Sequence, residues 1–204
     1  MESQKKVWNN IAQEWYEFKN RPSINHLEFM IKQKGKLLDL GCGAGRNFAK
    51  IDAEIYAVDF SEEMIKYAKK KAEELQIKKI KFFVAKADKL PFENEFFDSI
   101  LCISALHCIP TDKERKQSLN EIFRVLKKGG EAKISVWNKD STRFKKKKKK
   151  DFVAWRDKGK RIYYFYTPDE IKNDVKKIGF KIIFEKFSSK EPNITLILQK
   201  PISS

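Results

Sequence analysis

A short apolar run that leads directly into a glycine-rich turn constrains the fold of this chain most. The run "KLLDL" (36–40) is followed by Gly41, Gly43 and Gly45. Such a run is typical of a buried strand, and the glycines let the backbone turn tightly and pass close to a ligand. The spacing G-x-G-x-G differs from the G-x-G-x-x-G of dinucleotide sites, because the third glycine comes one residue early. The turn therefore predicts a ligand site at the end of a buried strand, without a backbone cradle for a pyrophosphate.

Strands and helices alternate along the rest of the chain. Apolar strands are predicted at 53–60, 79–87, 96–104 and 131–137, with helices at 61–75 and 112–130. A further helix has a start signal at Thr167, Pro168 and Glu170 and a stop signal at Gly179. The runs "KIIFEKF" and "NITLILQK" then follow without a helix between them and should pair as a hairpin. We expect an α/β, doubly wound, seven-stranded Rossmann-like sheet, mostly parallel, with a terminal antiparallel hairpin.

The N-terminal part has the spacing of two amphipathic helices separated at Arg21-Pro22. Their apolar faces are predicted to carry Val7, Ile11, Trp15 and Phe18 in the first helix, and Leu27, Met30 and Ile31 in the second. We expect one domain over 1–204, with an N-terminal helical segment at 1–34 and a basic loop at 139–161.

Positive charge is concentrated in one segment of the chain. The net charge is +16, and the 19 residues from Arg143 to Arg161 hold eleven basic side chains against Asp151 and Asp157. Six of the basic residues are consecutive lysines at 145–150. A charge of this size favours an anionic partner, and nucleic acid is preferred over a membrane surface because no amphipathic helix accompanies the run. The alternative is a solvated lysine-rich loop.

The cysteines and the N-terminus indicate a compartment. Cys42, Cys102 and Cys108 are odd in number and form no CxxC pair, so neither a disulfide framework nor a zinc or other metal site is predicted. The N-terminus has no signal-peptide pattern, and no apolar run approaches the ~18 residues of a membrane span. We expect a reduced, soluble, cytoplasmic protein without a membrane partner.

Three acidic residues follow three successive predicted strands. Asp39 ends the first strand, Asp59 ends the second, and Asp88 follows the third. Ligands of such sheets bind at the carboxyl ends of the strands. There, a carboxylate such as Asp59 can accept two hydrogen bonds from a ribose diol, and Asp88 can accept one from an exocyclic amine such as that of adenine.

Four stretches that carry these residues resemble the motifs of class I S-adenosylmethionine-dependent methyltransferases. They are "LLDLGCGAG", "AVDFS", "AKADKLPFENEFFDSILCISALH" and "EIFRVLKKGG", and they lie within residues 36–137. The resemblance implies S-adenosylmethionine as the cofactor, with its methionine part and ribose held by Asp39 and the glycines Gly41, Gly43 and Gly45. It also implies that Asp59 binds the ribose hydroxyls and that Asp88 lies beside the adenine.

Four other stretches resemble the tRNA wobble-uridine carboxymethyl methyltransferases, which esterify a carboxymethyl group on the first anticodon base. They are "VWNNIAQEWYEFKNRP", "ISALHC", "FVAW" and "KRIYYFY". This chain departs from the pattern of that family at Cys108, where a second histidine is expected, at Lys19, where arginine is expected, and at Lys150, where an acid is expected. A Trp-Pro after Pro22 is also missing. The resemblance implies tRNA as the substrate and, as a partner, a small zinc-binding activator subunit.

Candidate residues for the methyl transfer follow from this resemblance. A carboxylate substrate is already ionised and needs cations to orient it rather than a general base. Lys19, Arg21 and Arg161 are candidates for that role, and His107 is either functional or a packed polar residue. Trp155, Tyr163 and Tyr164 either stack a base or belong to the core. Lys145, Lys146 and Lys147 are candidates for contacts with tRNA phosphates.

Two alternatives and one partner surface remain open from the sequence. A small-molecule carboxyl, quinone or sterol-type methyltransferase has the same core, and a catalytically silent fold that binds RNA is a second alternative. The third strand should lie at the edge of the sheet, where Ile80, Phe82, Phe83 and Val84 make it apolar. An exposed apolar edge invites strand addition, so the activator subunit is expected there.

Overall fold

The computed structural model describes residues 3–18, 22 and 24–202 of the chain. Its helices are α1 (Gln4–Phe18), α2 (Ile24–Ile31), α3 (Glu62–Glu74), α4 (Asp112–Val125) and α5 (Pro168–Ile178), with a short 3₁₀ turn at Leu106–Cys108. Its strands are β1 (Lys36–Leu40), β2 (Glu54–Asp59), β3 (Ile80–Val84), β4 (Phe97–Ile103), β5 (Leu126–Trp137), β6 (Lys150–Ala154), β7 (Lys160–Tyr164), β8 (Lys181–Lys186) and β9 (Asn193–Gln199). None of the helices in these ranges has the length and apolar character needed to cross a bilayer.

Seven strands form the predicted sheet in the order β3-β2-β1-β4-β5-β9-β8. The first five strands of that order are parallel, and β9 pairs antiparallel with both β5 and β8. The α/β fold class and the terminal antiparallel hairpin are therefore confirmed. The strand order reverses between β1 and β4, which places the switch point of the sheet beside the glycine turn.

Three of the four helix ends that the sequence signals predict are confirmed. Ser61 caps α3 by accepting a hydrogen bond from the backbone of Met64, and Thr167 with Glu170 forms a capping box at α5. Gly179 ends α5 with a left-handed φ of +111°.

The sequence predicts a helix over 112–130 that ends at the glycine pair 129–130, and this end is wrong. Helix α4 stops at Val125 because Leu126 is already extended and begins β5. A Cβ atom at Gly130 would lie 2.8 Å from the carbonyl oxygen of Asp98 and 2.9 Å from that of Lys127. Glycine is needed there because backbones approach closely within the sheet, which is the other common use of this residue.

The third strand lies at the sheet edge as predicted, but its side chains are less exposed than expected. Phe83 stacks on Tyr56 with ring centroids 6.0 Å apart, and Phe82 packs against Phe48 at 6.3 Å. Val84 is 51% exposed, whereas the other apolar side chains of β3 are half-buried. The strand also ends at Val84, three residues earlier than predicted, as the chain turns over the end of the sheet.

The basic segment expected to be a loop contains a separate two-stranded sheet. Strands β6 and β7 pair antiparallel from Lys150↔Tyr164 to Ala154↔Lys160. Helix α1 packs against β7 and α3. Its residues Val7 and Ile11 are buried as predicted, whereas Phe18 and, in α2, Ile31 are exposed. The hairpin β6–β7 and α1 together cover the end of the main sheet at which the glycine turn lies.

Candidate active site

A cavity of about 530 Å³ opens at the carboxyl ends of the parallel strands. Its floor includes the last residue of each of the first four strands: Leu40 of β1, Asp59 of β2, Val84 of β3 and Ile103 of β4. Helix α1 forms another wall through Gln4, Lys5, Trp8 and Trp15, and Ser3 just before the helix extends it. The cavity therefore lies where open α/β sheets bind ligands.

Asp59 is fixed by the backbone around it. One carboxylate oxygen accepts a hydrogen bond from the N–H of Gly43 (2.9 Å) and the other accepts one from the N–H of Ser61 (3.0 Å). Burial raises the pKa of this carboxyl to about 6, although hydrogen bonds from the backbone act in the opposite direction. The side chain is 8% exposed and lines the cavity, so it presents an acceptor to a ligand at a defined position.

Asp39 lies below the cavity floor rather than in its wall. Its carboxylate is 1% exposed, and its Oδ2 has no hydrogen-bond partner in the described part of the chain. Burial, together with the charge of Asp59, raises the pKa of Asp39 to about 7. A buried acceptor without a partner is costly unless a ligand or water supplies a donor.

The three glycines of the turn have different surroundings. A Cβ at Gly41 would lie 2.3 Å from the Cβ of Ala105, and φ there is +71°, so a side chain is excluded. Gly43 faces the cavity, and the nearest atom to a Cβ would be Nε1 of Trp15 at 3.7 Å. A Cβ at Gly45 would instead meet the ring of Phe48 at 2.7 Å. Gly41 and Gly43 therefore border the cavity, whereas Gly45 supports the turn from behind.

Asp88 lines the far end of the cavity beside Ala85 and Ala87, beyond the end of β3. Two basic side chains that were not predicted from the sequence, Arg46 and Lys86, also line the cavity. Arg46 directly follows the glycine turn, which was an available signal for a cation at this end of the sheet. Burial lowers the pKa of Arg46, but the side chain stays cationic.

Arg161 lies behind the α1 wall, inside a cage of aromatic rings that we call the tryptophan cage. Its Cζ atom lies 5.7, 5.4 and 4.9 Å from the ring centroids of Trp8, Trp15 and Trp155. The guanidinium donates a hydrogen bond to the hydroxyl of Tyr163 (2.6 Å), whereas its Nε has no partner in the described residues. Arg161 is 5% exposed and forms no ion pair with any acid in those residues.

His107 does not reach the cavity, contrary to the functional alternative. The chain leaves β4 through Ser104, whose φ is +57°, and enters the 3₁₀ turn that contains His107. His107 stacks on Trp137 at 4.8 Å, and its Nδ1 accepts a hydrogen bond from the backbone N–H of Trp137 (3.1 Å). Burial lowers its pKa to about 3, so the ring is neutral. Cys108, the next residue, lines the cavity in its place.

The aromatic residues proposed for base stacking lie in three different environments. Tyr163 is 2% exposed and stacks on Trp137 at 4.2 Å, so it belongs to the core and holds Arg161. Tyr164 lies on the opposite face of β7, where the guanidinium of Arg115 stacks on its ring at 3.7 Å. Trp155 is half-buried at the tip of the β6–β7 hairpin. Trp155 and Tyr164 are thus both partly exposed, whereas Tyr163 is buried.

The lysine run is exposed over its whole length, and buried Phe144 anchors its start. Lys147 pairs with Asp151 at 3.4 Å, and Lys149 pairs with Glu170. No ion pair is found for the side chains of Lys145, Lys146, Lys148 and Lys150 within the part of the chain described here. The candidates Lys19 and Arg21 lie outside the described residues.

Family and structural comparisons agree with this geometry. A family model described as "Methyltransferase domain" matches residues 38–134, the stretch that contains the glycine turn and all three acids. The chain contains a class I S-adenosylmethionine-dependent methyltransferase domain. Its cofactor is S-adenosylmethionine. The buried unpartnered oxygen of Asp39 and the open space in front of Gly43 fit a ligand that brings hydrogen-bond donors and approaches the backbone closely.

Two of the curated relatives of this chain carry names with different substrates, and another is uncharacterized. An uncharacterized protein of Methanocaldococcus jannaschii is 35% identical over 152 residues, which are 74% of this chain and 66% of that protein. The tRNA (carboxymethyluridine(34)-5-O)-methyltransferase of Arabidopsis thaliana is 34% identical over 50% of this chain and 24% of that enzyme. A demethylmenaquinone methyltransferase of Bacillus mycoides is 32% identical over 49% of this chain and 44% of that enzyme. The matches thus span from 24% to 66% of these relatives' own lengths.

Solved structures share the fold over nearly the whole chain. A methyltransferase of Streptomyces caelestis has a TM-score of 0.78 at 14% identity, covering 98% of this chain and 100% of that one. A Haloferax volcanii chain that was solved in complex with the Trm112 methyltransferase activator has a TM-score of 0.70 at 13% identity, covering 98% and 99%.

Proposed function

We propose that this methyltransferase esterifies the carboxylate of a carboxymethyl group on the wobble uridine of tRNA. The cofactor is held by Asp39, Gly41, Gly43, Asp59 and Asp88 in this proposal. The observation that carries the substrate assignment is Arg161, a buried guanidinium in the tryptophan cage without an acidic partner in the described residues. Arg161 does not itself line the cavity, but it contacts the rings of Trp8 and Trp15, which do. Buried charges are usually paired, so an unpaired buried cation directly behind this wall favours an anionic ligand group that reaches it between the rings.

The position of His107 outside the cavity is also consistent with a carboxylate substrate, which needs no general base. Bound S-adenosylmethionine supplies a methyl carbon on a positively charged sulfur, which a carboxylate oxygen attacks while the carbon–sulfur bond breaks and its electrons go to sulfur. No proton is transferred, so no general base is needed. The described cavity wall contains no histidine, and His107 is buried and neutral behind it. The task that remains for the chain is to orient the carboxylate and to exclude water, which Arg161 and the tryptophan rings can perform.

Binding of S-adenosylmethionine should raise the melting temperature more at pH 7.5 than at pH 5. The pKa values of Asp59 and Asp39 are raised to about 6 and about 7 by burial, above the usual 3.8 of the unfolded chain. Ionising them therefore lowers the stability of the free protein as pH rises through this window. Ribose hydroxyls and other donors of the cofactor offset that loss, because they hydrogen-bond to the ionised form. Differential scanning fluorimetry with and without cofactor measures the difference, and a shift that does not depend on pH contradicts the assignment.

tRNA as the substrate is supported by the relatives and by the charge of the hairpin region. One relative carries the same carboxymethyluridine activity in its name. The exposed lysine run precedes β6 directly, and β6 leads to Trp155 at the edge of the tryptophan cage. Phosphate contacts made by the lysines would position a tRNA with little regard to its sequence, and the base would enter beside Trp155.

Replacing Lys145 to Lys150 together with serine should weaken tRNA binding and flatten its dependence on salt. The lysines are exposed, so the substitutions leave the core unchanged. A single-stranded RNA loses about 0.7 units of log–log slope for each phosphate contact, so the loss of three or four contacts lowers the slope by roughly 2–3. Fluorescence anisotropy with labelled tRNA at several salt concentrations measures this slope.

A matched variant separates the lysine run from total charge. The exposed lysines of α3, Lys66, Lys69 and Lys70, can be replaced with serine in the same way. We expect the slope to change less in that variant, and cofactor affinity to stay constant in both. A slope that falls in both variants in proportion to the number of lysines removed, six against three, assigns binding to net charge. An unchanged tRNA affinity means that the run is only a solvated loop.

A zinc-binding activator subunit is proposed as a partner at the edge strand β3. The edge position of β3 and the activator complex of the Haloferax volcanii neighbour support it. Because the phenylalanines of β3 are half-buried, the partner would gain its affinity mainly from backbone hydrogen bonds. Co-expression with such a subunit should increase the yield and activity of the enzyme, whereas full activity of the chain alone would contradict the proposal.

The rival activity is methylation of a small apolar molecule such as a quinone. The aromatic and aliphatic residues of the cavity wall, Trp8, Val84 and Ile109 among them, and the demethylmenaquinone methyltransferase relative favour it. Mass spectrometry of nucleosides from carboxymethyluridine-containing tRNA, with and without enzyme, cofactor and activator, decides between the two. Appearance of the methyl ester supports the proposal, and its absence in every mixture refutes it.

A further inference from the structure

Helix α1 is attached to the β6–β7 hairpin at both of its ends. Near its start, the side-chain amide of Gln4 donates to the carbonyl of Lys160 (3.1 Å) and accepts from the N–H of Ile162 (2.9 Å). Near its end, three turns later, Glu14 binds residues of the hairpin tip. Because Lys160 and Ile162 are the neighbours of Arg161 in the chain, these contacts fix where the backbone of that arginine lies relative to the cavity wall.

The carboxylate of Glu14 collects three donors from the hairpin tip. Trp155 Nε1 lies 2.7 Å from it, Lys158 Nζ lies at 2.9 Å, and Arg156 lies at 3.2 Å. The Glu14 side chain is 19% exposed, so water competes with these contacts less than at an open surface. Its pKa is lowered by the hydrogen bonds from Lys158 and Trp155. The bond to Trp155 has the most consequence, because Trp155 is the ring closest to the Arg161 guanidinium.

The turn that Glu14 binds has a strained backbone. Arg156 has a φ of +49°, although it is not glycine, and Gly159 has a φ of +123°. The turn is closed by hydrogen bonds from Trp155 N–H to Gly159 C=O and from Lys158 N–H to Trp155 C=O, both 3.0 Å long. A non-glycine residue keeps a left-handed conformation only where its surroundings hold it there. Glu14 supplies part of that hold from another element of the fold.

We infer that Glu14 is a positioning residue, which holds the indole of Trp155 over Arg161 and so sets the geometry in which the substrate carboxylate is held. This inference rests on the proposed function. Glu14 acts through Trp155 and does not itself touch the reacting atoms. The carboxylate must meet the guanidinium in line with the methyl carbon, and small displacements of such a group are costly to the rate.

The test compares Glu14→Ala, Glu14→Gln and Trp155→Phe in the full chain, with the activator present if the wild-type enzyme requires it. Glu14→Ala and Trp155→Phe both remove the hydrogen bond, and each should lower kcat for the tRNA ester by about 10-fold. Glu14→Gln keeps an acceptor for Trp155 and should restore kcat to within about 3-fold of the wild type. The double variant Glu14→Ala/Trp155→Phe should be no slower than the slower of the two single variants, because both substitutions remove the same contact.

A merely structural role predicts a different set of results. It lowers the melting temperature and weakens S-adenosylmethionine binding along with kcat, and Glu14→Gln gives no rescue. A matched control is Glu63→Ala on α3, a partly exposed acid paired with Lys66 at 3.2 Å, which should leave kcat unchanged. Full activity of Glu14→Ala overturns the inference.

Hydrogen exchange without substrate separates this inference from the proposed function. In Glu14→Ala, residues 154–162 should exchange at least about 10-fold faster than in the wild type, while β2 and β4 stay protected. Unchanged exchange at 154–162 overturns the inference whatever the enzyme methylates. Faster exchange in the variant, combined with a wild-type enzyme that makes no ester, supports the attachment of Trp155 by Glu14 and overturns the proposed substrate instead.

Discussion

Replacing Arg161 with methionine should lower kcat/KM for carboxymethyluridine-containing tRNA by about 100-fold or more without a comparable loss of stability. Charge-assisted hydrogen bonds contribute roughly 1.5–3 kcal/mol each, and the guanidinium can offer two to a carboxylate. Within the described residues of the free protein, the same guanidinium has a single hydrogen bond, to Tyr163, and an unpartnered Nε. Methionine, an apolar side chain of similar length, removes a buried charge that lacks an acidic partner in the described residues, which stabilises the fold. It also leaves the buried Tyr163 hydroxyl without its donor, which destabilises it, so the net change in stability should be small.

Arg115 provides the comparison, because it is as buried as Arg161 but has an acidic partner, Asp112 at 3.5 Å. Its Nε, like that of Arg161, has no hydrogen-bond partner in the described residues. It is 4% exposed and donates to the carbonyls of Ile109 (3.1 Å) and Pro110 (3.3 Å). Arg115→Met leaves those carbonyls without their donor and should lower the melting temperature, by several degrees for a loss of about 1–3 kcal/mol. Arg161→Met should change the melting temperature less. If Arg161→Met is active but unstable, Arg161 is a structural cation and the carboxylate assignment is wrong.

The fold could be predicted because each of its signals is local. The strand β1 and the glycine turn are adjacent in sequence, and the Thr167–Glu170 capping box needs four residues. The glycine pair at 129–130 misled the prediction because glycine serves both helix ends and close backbone contacts, and the sequence does not distinguish them. The lysine run hid β6, because the alternation of exposed and half-buried residues in this strand begins only at the last lysine of the run, Lys150.

The cofactor half of the candidate site could be predicted for the same reason, whereas the substrate half could not. Asp39, Asp59 and Asp88 follow from the rule that parallel strands end at one edge. The tryptophan cage joins Trp8 and Trp15 of α1 to Trp155 and Arg161, which lie about 140 residues further along the chain. No pattern in the sequence relates residues so far apart. The orientation of His107 depends on the left-handed backbone at Ser104, which the sequence does not indicate either.

Asp59→Ala should weaken the binding of S-adenosylmethionine by about 10- to 150-fold, which corresponds to the roughly 1.5–3 kcal/mol of a charge-assisted contact with the ribose hydroxyls. Isothermal titration calorimetry measures the change. The alanine variant also removes the acceptor for the N–H groups of Gly43 and Ser61, so the glycine turn loses support. Part of the loss in affinity therefore comes from the turn rather than from the direct contact.

Asp59→Asn separates these two contributions. Asparagine keeps one acceptor oxygen for the backbone but carries no charge, and its amide group can orient that oxygen toward only one of the two N–H groups. We expect its affinity for the cofactor to fall between those of the wild type and Asp59→Ala, with a melting temperature closer to the wild type. Asp52→Asn, an exposed acid outside the cavity wall, controls for the loss of one negative charge and should bind normally. Unchanged affinity in Asp59→Ala would mean that the cofactor binds elsewhere. The reaction geometry proposed at the tryptophan cage would then be wrong as well.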